Sequence, residues 1–257
     1  MDFNFRIAIC SYKRYNMLGQ RTLKVLDYYN IPKNIIDIFV NNQEEYDLYR
    51  PLYEDYNMIV GETGMKEIRE FMFNYYNEGD KIWFMDDDIT SIKLAKPPCS
   101  KFKYAMERIP NLKEIIDLGF NECIKEKTIL FSFNSVYGHR YLKDTISTKL
   151  MLCGGWCFGV IIDKECLSLN VAQYEDFERT FKVFKKYHKV IRINYICAGQ
   201  NIEKNKGGMC NDNRINIMKR DLEILKELYG EYFYVRDKPK SLIGVNPTIK
   251  NGKKYIF

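Results

Sequence analysis

Apolar and polar positions fall into blocks along residues 1–92, and the blocks follow two different periods. Short apolar runs rich in β-forming residues occur at RIAICSY (6–12), IIDIFVNN (35–42), NMIVGE (57–62) and KIWFMDDDI (81–89). Each ends in polar residues and predicts a buried strand. Between them the spacing is helical. Leu23, Leu26 and Tyr29 share a face within 22–30, which Pro32 closes. Ile68, Phe71, Met72 and Tyr75 share a face within 65–80, which Gly79 closes. A shorter helix over QEEYDLYRPLY breaks at Pro51. Four strands alternating with three helices predict βαβ units: an α/β, Rossmann-like fold with a mainly parallel central sheet flanked by helices. Ligands of such sheets bind beyond the carboxyl ends of the strands. The polar tails Ser11–Arg14, Asn41-Asn42, Glu62–Gly64 and Asp86–Asp88 are therefore expected to form one site.

The second half is more mixed. Its pattern predicts a helix over 112–126, a strand over 128–136 and a buried, glycine-studded strand over 151–163. A helix over 174–187, a strand over 189–198, a Gly/Asn-rich loop (199–213) and a helix over 215–230 follow. The remaining tail, 231–257, reads as basic and polar. Neither a repeat nor a long linker divides the chain, so one domain over 1–257 is expected.

Composition narrows the class. With 257 residues, 46% of them hydrophobic, the chain can bury the core of one large α/β domain. No run approaches the roughly 20 apolar residues of a membrane span. MDFNFRIAIC lacks the layout of a signal peptide, and a cytoplasmic chain without membrane contact is expected. The eight cysteines form no CxxC pair and several sit in apolar runs, which predicts reduced thiols rather than disulfides or zinc. The formal charge of +6 suits a polyanionic partner such as DNA, and equally a solvated surface.

The sharpest chemical feature is Asp86-Asp87-Asp88. Three carboxylates at a strand end repel one another unless a cation sits among them. Residues i and i+2 of an extended segment share a side, so Asp86 and Asp88 can face one Mn²⁺ or Mg²⁺. Such an ion would bridge diphosphate oxygens and stabilise a leaving group; a solvated acidic turn is the plainer alternative. Glu175-Asp176 opens a helix, where it is either an acidic cap favoured by the macrodipole or the source of a general base. Gly154-Gly155 allows close approach of a ligand to the backbone, and Trp156 offers a flat apolar face; a buried strand with a core Trp explains them equally. Lys206, Gly207 and Gly208 lie in a glycine loop. His139 and His188 sit in no persuasive motif and are left unassigned.

In this order, IAICSYKR, NNQEEY, VGETGMKEIREF and WFMDDDI resemble GT-A glycosyltransferases, whose first strand ends in a sequence like P-[ST]-Y-[NK]-R and whose fourth ends in Asp-x-Asp. The closer likeness is to the TET-associated and base-J-related DNA glycosyltransferases of phages and protists. It covers residues 6–92 well and 150–210 more loosely. It departs at Cys10, where many relatives have Pro, and at Glu70, where Asn is expected.

The resemblance implies roles. Ser11, Tyr12 and Arg14 would line the nucleotide pocket, with Tyr12 stacked on the base. Glu44 and Glu45 would contact the uracil or ribose, unless they only favour a helix N-terminus. Gly64 and Arg69 would approach the diphosphate and sugar, unless Arg69 is only a surface charge on its helix, and Asp86 and Asp87 the donor, with Asp86 and Asp88 on the metal. Asp176, paired with Glu175 and followed by Arg179 and Thr180, would deprotonate the acceptor. Gly154, Gly155 and Trp156 would wall off the donor sugar from the acceptor, and Lys206–Gly208 would close over donor or DNA. Residues 1–92 would then bind the nucleotide sugar and 93–230 the acceptor. The implied reaction is inverting transfer of a hexose from a UDP-sugar, UDP-glucose foremost, to 5-hydroxymethyluracil or 5-hydroxymethylcytosine in DNA. A base in a duplex would have to be flipped or reached at the groove edge. A polysaccharide, glycolipid or protein acceptor is the alternative. A nucleotidyltransferase also ends its sheet in metal-binding carboxylates, but SYKRYN lacks the glycines of its phosphate loop.

Overall fold

The apolar runs become strands of one ten-stranded sheet in a computed structural model that describes residues 2–95, 106–138, 141–200, 214–237 and 245–250. In chain order, β1 (Arg6–Ser11) leads to α1 (Tyr15–Leu18), a π-helical turn (Gly19–Leu23) and α2 (Lys24–Tyr28). Then come β2 (Ile36–Val40), α3 (Gln43–Tyr49), β3 (Asn57–Val60), α4 (Met65–Tyr75) and β4 (Lys81–Asp86). β5 (Ile89–Ala95), β6 (Met106–Arg108), α5 (Leu112–Glu126), β7 (Leu130–Asn134), β8 (Ile146–Ser147) and β9 (Cys157–Ile161) follow. The chain continues through α6 (Lys164–Leu167), α7 (Glu175–Tyr187), β10 (Ile191–Gln200), α8 (Arg214–Tyr229), β11 (Phe233–Asp237) and β12 (Val245–Ile249).

The sheet order is β3-β2-β1-β4-β9-β7-β10-β5-β6, with β8 beside β10. β1 to β4 are mutually parallel, as are β7 and β10, while β9 and β5 run against their neighbours. The result is a mixed α/β architecture, a large, mostly parallel, Rossmann-like sheet flanked by helices. From β1 the chain winds outward through β2 and β3, then returns to place β4 on the other side of β1. That reversal sets the switch point between β1 and β4, at whose carboxyl ends open α/β sheets form their ligand crevice.

Alternation along the strands sends side chains to two cores. Ala8, Phe39, Phe84 and Phe158 pack beneath α4, α7 and α8 through Met72, Phe181 and Leu225. Ile7, Ile9, Trp83 and Phe131 pack against α2 and α5 through Leu26, Ile116 and Phe120. At the amino ends of the strands, buried Asp37 accepts from Arg6 (2.7 Å), Asn57 (2.6 Å) and Tyr76 (2.8 Å). This network ties three parallel strands together at the end away from the crevice.

Three elements differ from the sequence reading. Within 151–163 only Cys157–Ile161 is strand; the glycine pair and Trp156 belong to the segment that leads into it. The acidic triplet leads directly into β5, a strand the sequence reading did not include, which pairs with β10. The tail is not merely polar: β11 and β12 form a hairpin whose Phe233 ring stacks on Phe181 at 5.5 Å, with Tyr232 and Ile249 buried. The six described cysteines are free thiols and all but Cys10 are buried, while Cys99 and Cys210 lie outside the described residues. Among the described residues, no helix is long and apolar enough to cross a membrane.

Gly159 holds the centre of the second core. It lies between Trp83 and Phe131 in register, and those two rings stack across it at 5.3 Å. A Cβ on Gly159 would lie 1.9 Å from the Phe131 ring, and one on Gly119 of α5 would lie 2.1 Å from it. Gly159→Ala is therefore expected to destabilise by about 2 kcal/mol, as overpacking does. Denaturant unfolding measures it, and Phe131→Leu in the same chain should recover part of the loss; an unchanged midpoint would contradict this packing.

Candidate functional site

Strand ends and the starts of α3, α4 and α7 build the site. Beyond β1, Lys13 takes the left-handed conformation (φ 56°), which turns the SYKR segment back over the sheet edge. The turn is pinned from α3: Glu45 Oε2 accepts from the Lys13 amide (2.7 Å) and the Tyr49 hydroxyl from the Arg14 amide (2.9 Å). Asn42 caps α3 by accepting from the Glu45 amide at 2.9 Å, which places Glu45 for that task. Glu44, its neighbour, is exposed in the first turn. Tyr12 is half-buried, with the Lys13 ammonium 4.9 Å from its ring centroid.

The acidic triplet makes the turn between β4 and β5. Buried Thr22 clamps it: its hydroxyl donates to the Asp86 carbonyl (2.6 Å) and accepts from the Ile89 amide (3.0 Å). The three carboxylates then part. Asp87 points back to β1, accepting from Ser11 Oγ (2.6 Å) and Arg14 Nη1 (2.9 Å). Its burial pushes its pKa up to about 6, with Arg14 opposing. Asp86 Oδ1 accepts from Arg69 Nη2 at 2.7 Å, while Asp86 Oδ2 and Asp88 Oδ1 both accept from Gln200 Nε2, at 3.2 and 2.8 Å. Asp88 Oδ2 lies 3.6 Å from Arg14 Nη1. Burial raises the Asp86 pKa; Arg69 opposes this and Asp88 adds to it.

Gly64 (φ 127°) turns the chain into α4, a conformation that side-chain-bearing residues rarely adopt, and a Cβ there would also strike Glu67. One turn into α4, Arg69 is 2% exposed and reaches Asp86, the Gly155 carbonyl (3.3 Å) and Glu175 (3.9 Å). Glu175 also pairs with Arg179 one turn along α7, and that guanidinium lies 3.7 Å from the Phe158 ring centroid. A Cβ on Gly155 would sit 2.6 Å from Glu175 Oε1, so a side chain there would displace that carboxylate from its place. Gly154 packs against the half-buried Trp156 ring, and the Trp156 carbonyl accepts from the Asp86 amide at 2.9 Å. Asp176 is half-buried beside Glu175, and its Oδ1 accepts from the Phe177 amide (2.9 Å). Desolvation first, and then the Glu175 charge, push its pKa up to about 7, with Arg179 opposing.

Contacts thus join Ser11, Arg14, Glu45, Arg69, Asp86, Asp87, Asp88, Gly155, Trp156 and Glu175 in one network, with Asp176 next to Glu175. Tyr12 flanks it and Glu44 stands apart. Lys206, Gly207, Gly208 and His139 lie outside the described residues. His188 caps the far end of α7, opposite Asp176. Thr22 and Gln200 escaped the sequence reading, since a lone Thr in a helix and a Gln after a strand carry no motif. Among the described residues no group of three or more His, Cys, Asp or Glu is placed to hold a metal. Asp86 and Asp88 nevertheless suit a divalent cation, since two carboxylate oxygens converge on one hydrogen-bond donor.

No family model matches the chain, and no curated protein matches it. A crystal structure of a mycobacterial protein is similar, with a TM-score of 0.53 at 8% identity over 96% of this chain and 83% of that one. The likeness is one of fold alone.

The Asp176 environment has a thermodynamic consequence. An unfolded carboxyl titrates near about 4, whereas folded Asp176 titrates at about 7. The folded state holds the proton longer, so this group's contribution to stability is full below the lower value and lost as pH rises through the upper. Asp176→Asn should therefore raise Tm relative to wild type at pH 8, with the gain shrinking toward pH 4. Thermal unfolding across that range tests it; a gain independent of pH would mean that the carboxyl is not desolvated.

Proposed function

We propose that the protein is a metal-dependent glycosyltransferase of the GT-A type. It transfers a hexose, glucose foremost, from a UDP-sugar to the hydroxyl of 5-hydroxymethyluracil or 5-hydroxymethylcytosine in DNA. The observation that carries this reading is the convergence of Asp86 and Asp88 on one point at the strand-end crevice. Arg69 and Glu175 link that point to a carboxyl that titrates near neutrality. The motif order SYKR, EEY, GETG and DDDI supports the glycosyl class, and the charge of +6 supports a DNA acceptor.

Asp86 and Asp88 would hold Mn²⁺ or Mg²⁺, which when bound neutralises charge on a departing diphosphate. The amino end of α4, entered through Gly64, offers backbone N–H groups to the same diphosphate. Tyr12 and the pinned SYKR turn suit the uracil. Asp176 takes the proton of the acceptor hydroxyl as its oxygen bonds to the anomeric carbon and the bond from that carbon to the UDP oxygen breaks. Attack from the side opposite UDP inverts the centre. A carboxylate that titrates near the working pH suits a general base. Trp156 and the Gly154-Gly155 backbone would separate sugar from acceptor.

The test is nucleoside mass spectrometry of DNA carrying either modified base after incubation with UDP-glucose and Mn²⁺. The expected product is one hexosylated nucleoside, absent without metal and absent with Asp88→Asn. Asp176→Asn should lower kcat by about 10²-fold or more, and wild-type kcat/KM should fall as pH drops below about 7. UDP-glucose hydrolysis with neither DNA modified would move the acceptor to a polysaccharide, glycolipid or protein. Full activity in Asp88→Asn would overturn the metal assignment.

A further inference from the structure

Gln200 stands 112 residues from Asp88 in sequence yet donates to both carboxylates of the candidate cation site. The backbone is built to put it there. Pairing of β10 with β5 shifts register between Gly199 and Gln200, so Gly199 faces Ser91 while Gln200 faces Ile89, the residue that follows the acidic triplet. Such a bulge re-aims the side chain that follows it. The Gly199 carbonyl is held by Thr90 Oγ1 at 3.0 Å, and a Cβ on Gly199 would lie 2.9 Å from Ser91 Oγ and 3.0 Å from Thr90 Oγ1. The end of β10 is therefore fixed against the turn, with the amide of Gln200 between two carboxylates.

The spacing is informative. Oxygens bound about 2.1 Å from an octahedral cation lie about 3.0 Å from their neighbours on the same face. Gln200 Nε2 is 3.2 Å from Asp86 Oδ2 and 2.8 Å from Asp88 Oδ1, which brackets that edge length. Both separations are hydrogen-bond lengths of the same size as that edge, so an oxygen in the nitrogen's place is compatible with a ligand position. A half-turn about the terminal torsion of the side chain exchanges the amide nitrogen for its oxygen, which is a hard, neutral ligand for Mg²⁺ or Mn²⁺.

We propose that Gln200 is a two-state partner of Asp86 and Asp88. Without a cation, its two N–H bonds hold the carboxylates together; with a cation, the amide turns and Oε1 becomes the third protein ligand. This rests on the reading that Asp86 and Asp88 hold a divalent cation. It also explains the residue type. A carboxylate at 200 would oppose the cation-free arrangement and repel a diphosphate, whereas an amide serves both states without charge.

Calorimetric titration of Mn²⁺ into the wild type, Asp88→Asn, Gln200→Ala and Gln200→Glu tests it, with EPR of the bound Mn²⁺ and thermal unfolding in EDTA or Mn²⁺ as further readouts. Wild type is expected to bind and Asp88→Asn to lose binding. Gln200→Ala should bind about tenfold more weakly, the scale on which a metal's supporting groups act, and should change the Mn²⁺ EPR spectrum. Gln200→Glu should unfold at a lower temperature than wild type in EDTA and gain more from Mn²⁺, since three carboxylates then meet without a cation. Wild-type affinity in Gln200→Ala, with Asp88→Asn inactive in binding, would overturn the role of Gln200 alone. No Mn²⁺ binding by wild type would overturn the cation reading beneath it. If Gln200→Ala does not fold, the Mn²⁺-dependent Tm of Gln200→Glu decides: a gain no larger than in wild type overturns the proposal.

Discussion

A guanidinium that stays charged at any working pH is buried at Arg69, and the geometry of the site follows from that. Removing such a charge from water is tolerable only with opposite charge and hydrogen-bond acceptors at close range. They come from three places: Asp86 at the end of β4, the Gly155 carbonyl before β9, and Glu175 at the start of α7. Compensating the charge of one side chain on α4 therefore brings together segments more than a hundred residues apart. The constraint propagates. Glu175 comes so close to Gly155 that a side chain there would displace it, and Arg179 adds a second buried cation on its other flank. Around α7 this leaves Asp86, Glu175 and Asp176 against Arg69 and Arg179, one carboxylate more than the guanidiniums can neutralise. The excess, together with burial, falls on Asp176, which is why its proton leaves late.

The three adjacent aspartates are not equivalent, because the turn sends them to different partners. Asp87 serves the architecture: with Ser11 and Arg14 it fastens the SYKR turn to the sheet edge. Asp86 is shared between Arg69 and Gln200, and Asp88 between Gln200 and Arg14. Thr22 holds the turn at both ends, so the carboxylates stand in place before any ligand arrives. Preorganisation of this kind lets fixed charges act on a reacting group without the reorganisation that water would require.

How much of this the sequence discloses depends on the range of the interaction. β1 to β4 and α4 are legible because burial imposes a period, and the strand ends are legible because polar residues interrupt it. The carboxyl-edge location of Ser11, Asp86 and Gly64 follows from that pattern alone. What escapes is set by single hydrogen bonds across the fold. Nothing local marks Gln200 as the partner of an acidic turn, nor Thr22 as its clamp. Nothing local separates Glu44, exposed, from Glu45, buried one position on. β11 and β12 were hidden for another reason. Pro247 lies in a strand, where proline is confined to edges, and a two-stranded hairpin is all edge.

The sign of the local charge bears on the proposed chemistry. The chain carries +6, yet the crevice gathers Asp86, Asp87, Asp88, Glu175 and Asp176 against Arg14, Arg69 and Arg179. Nearby counter-charge matters more than the distant surface, since solvent screens charges beyond about 10 Å. A nucleotide diphosphate approaching this edge alone meets net repulsion. A divalent cation between Asp86 and Asp88 would cancel that excess while leaving the fold's own pairs, Arg69 with Asp86 and Arg14 with Asp87, intact. On the proposed function, the net positive charge of the chain would draw a polyanionic acceptor, and the cation-loaded crevice the donor. A binding surface for nucleic acid alone would have no use for that excess of buried carboxylate, whereas group transfer from a diphosphate to a hydroxyl has use for both a cation and a base.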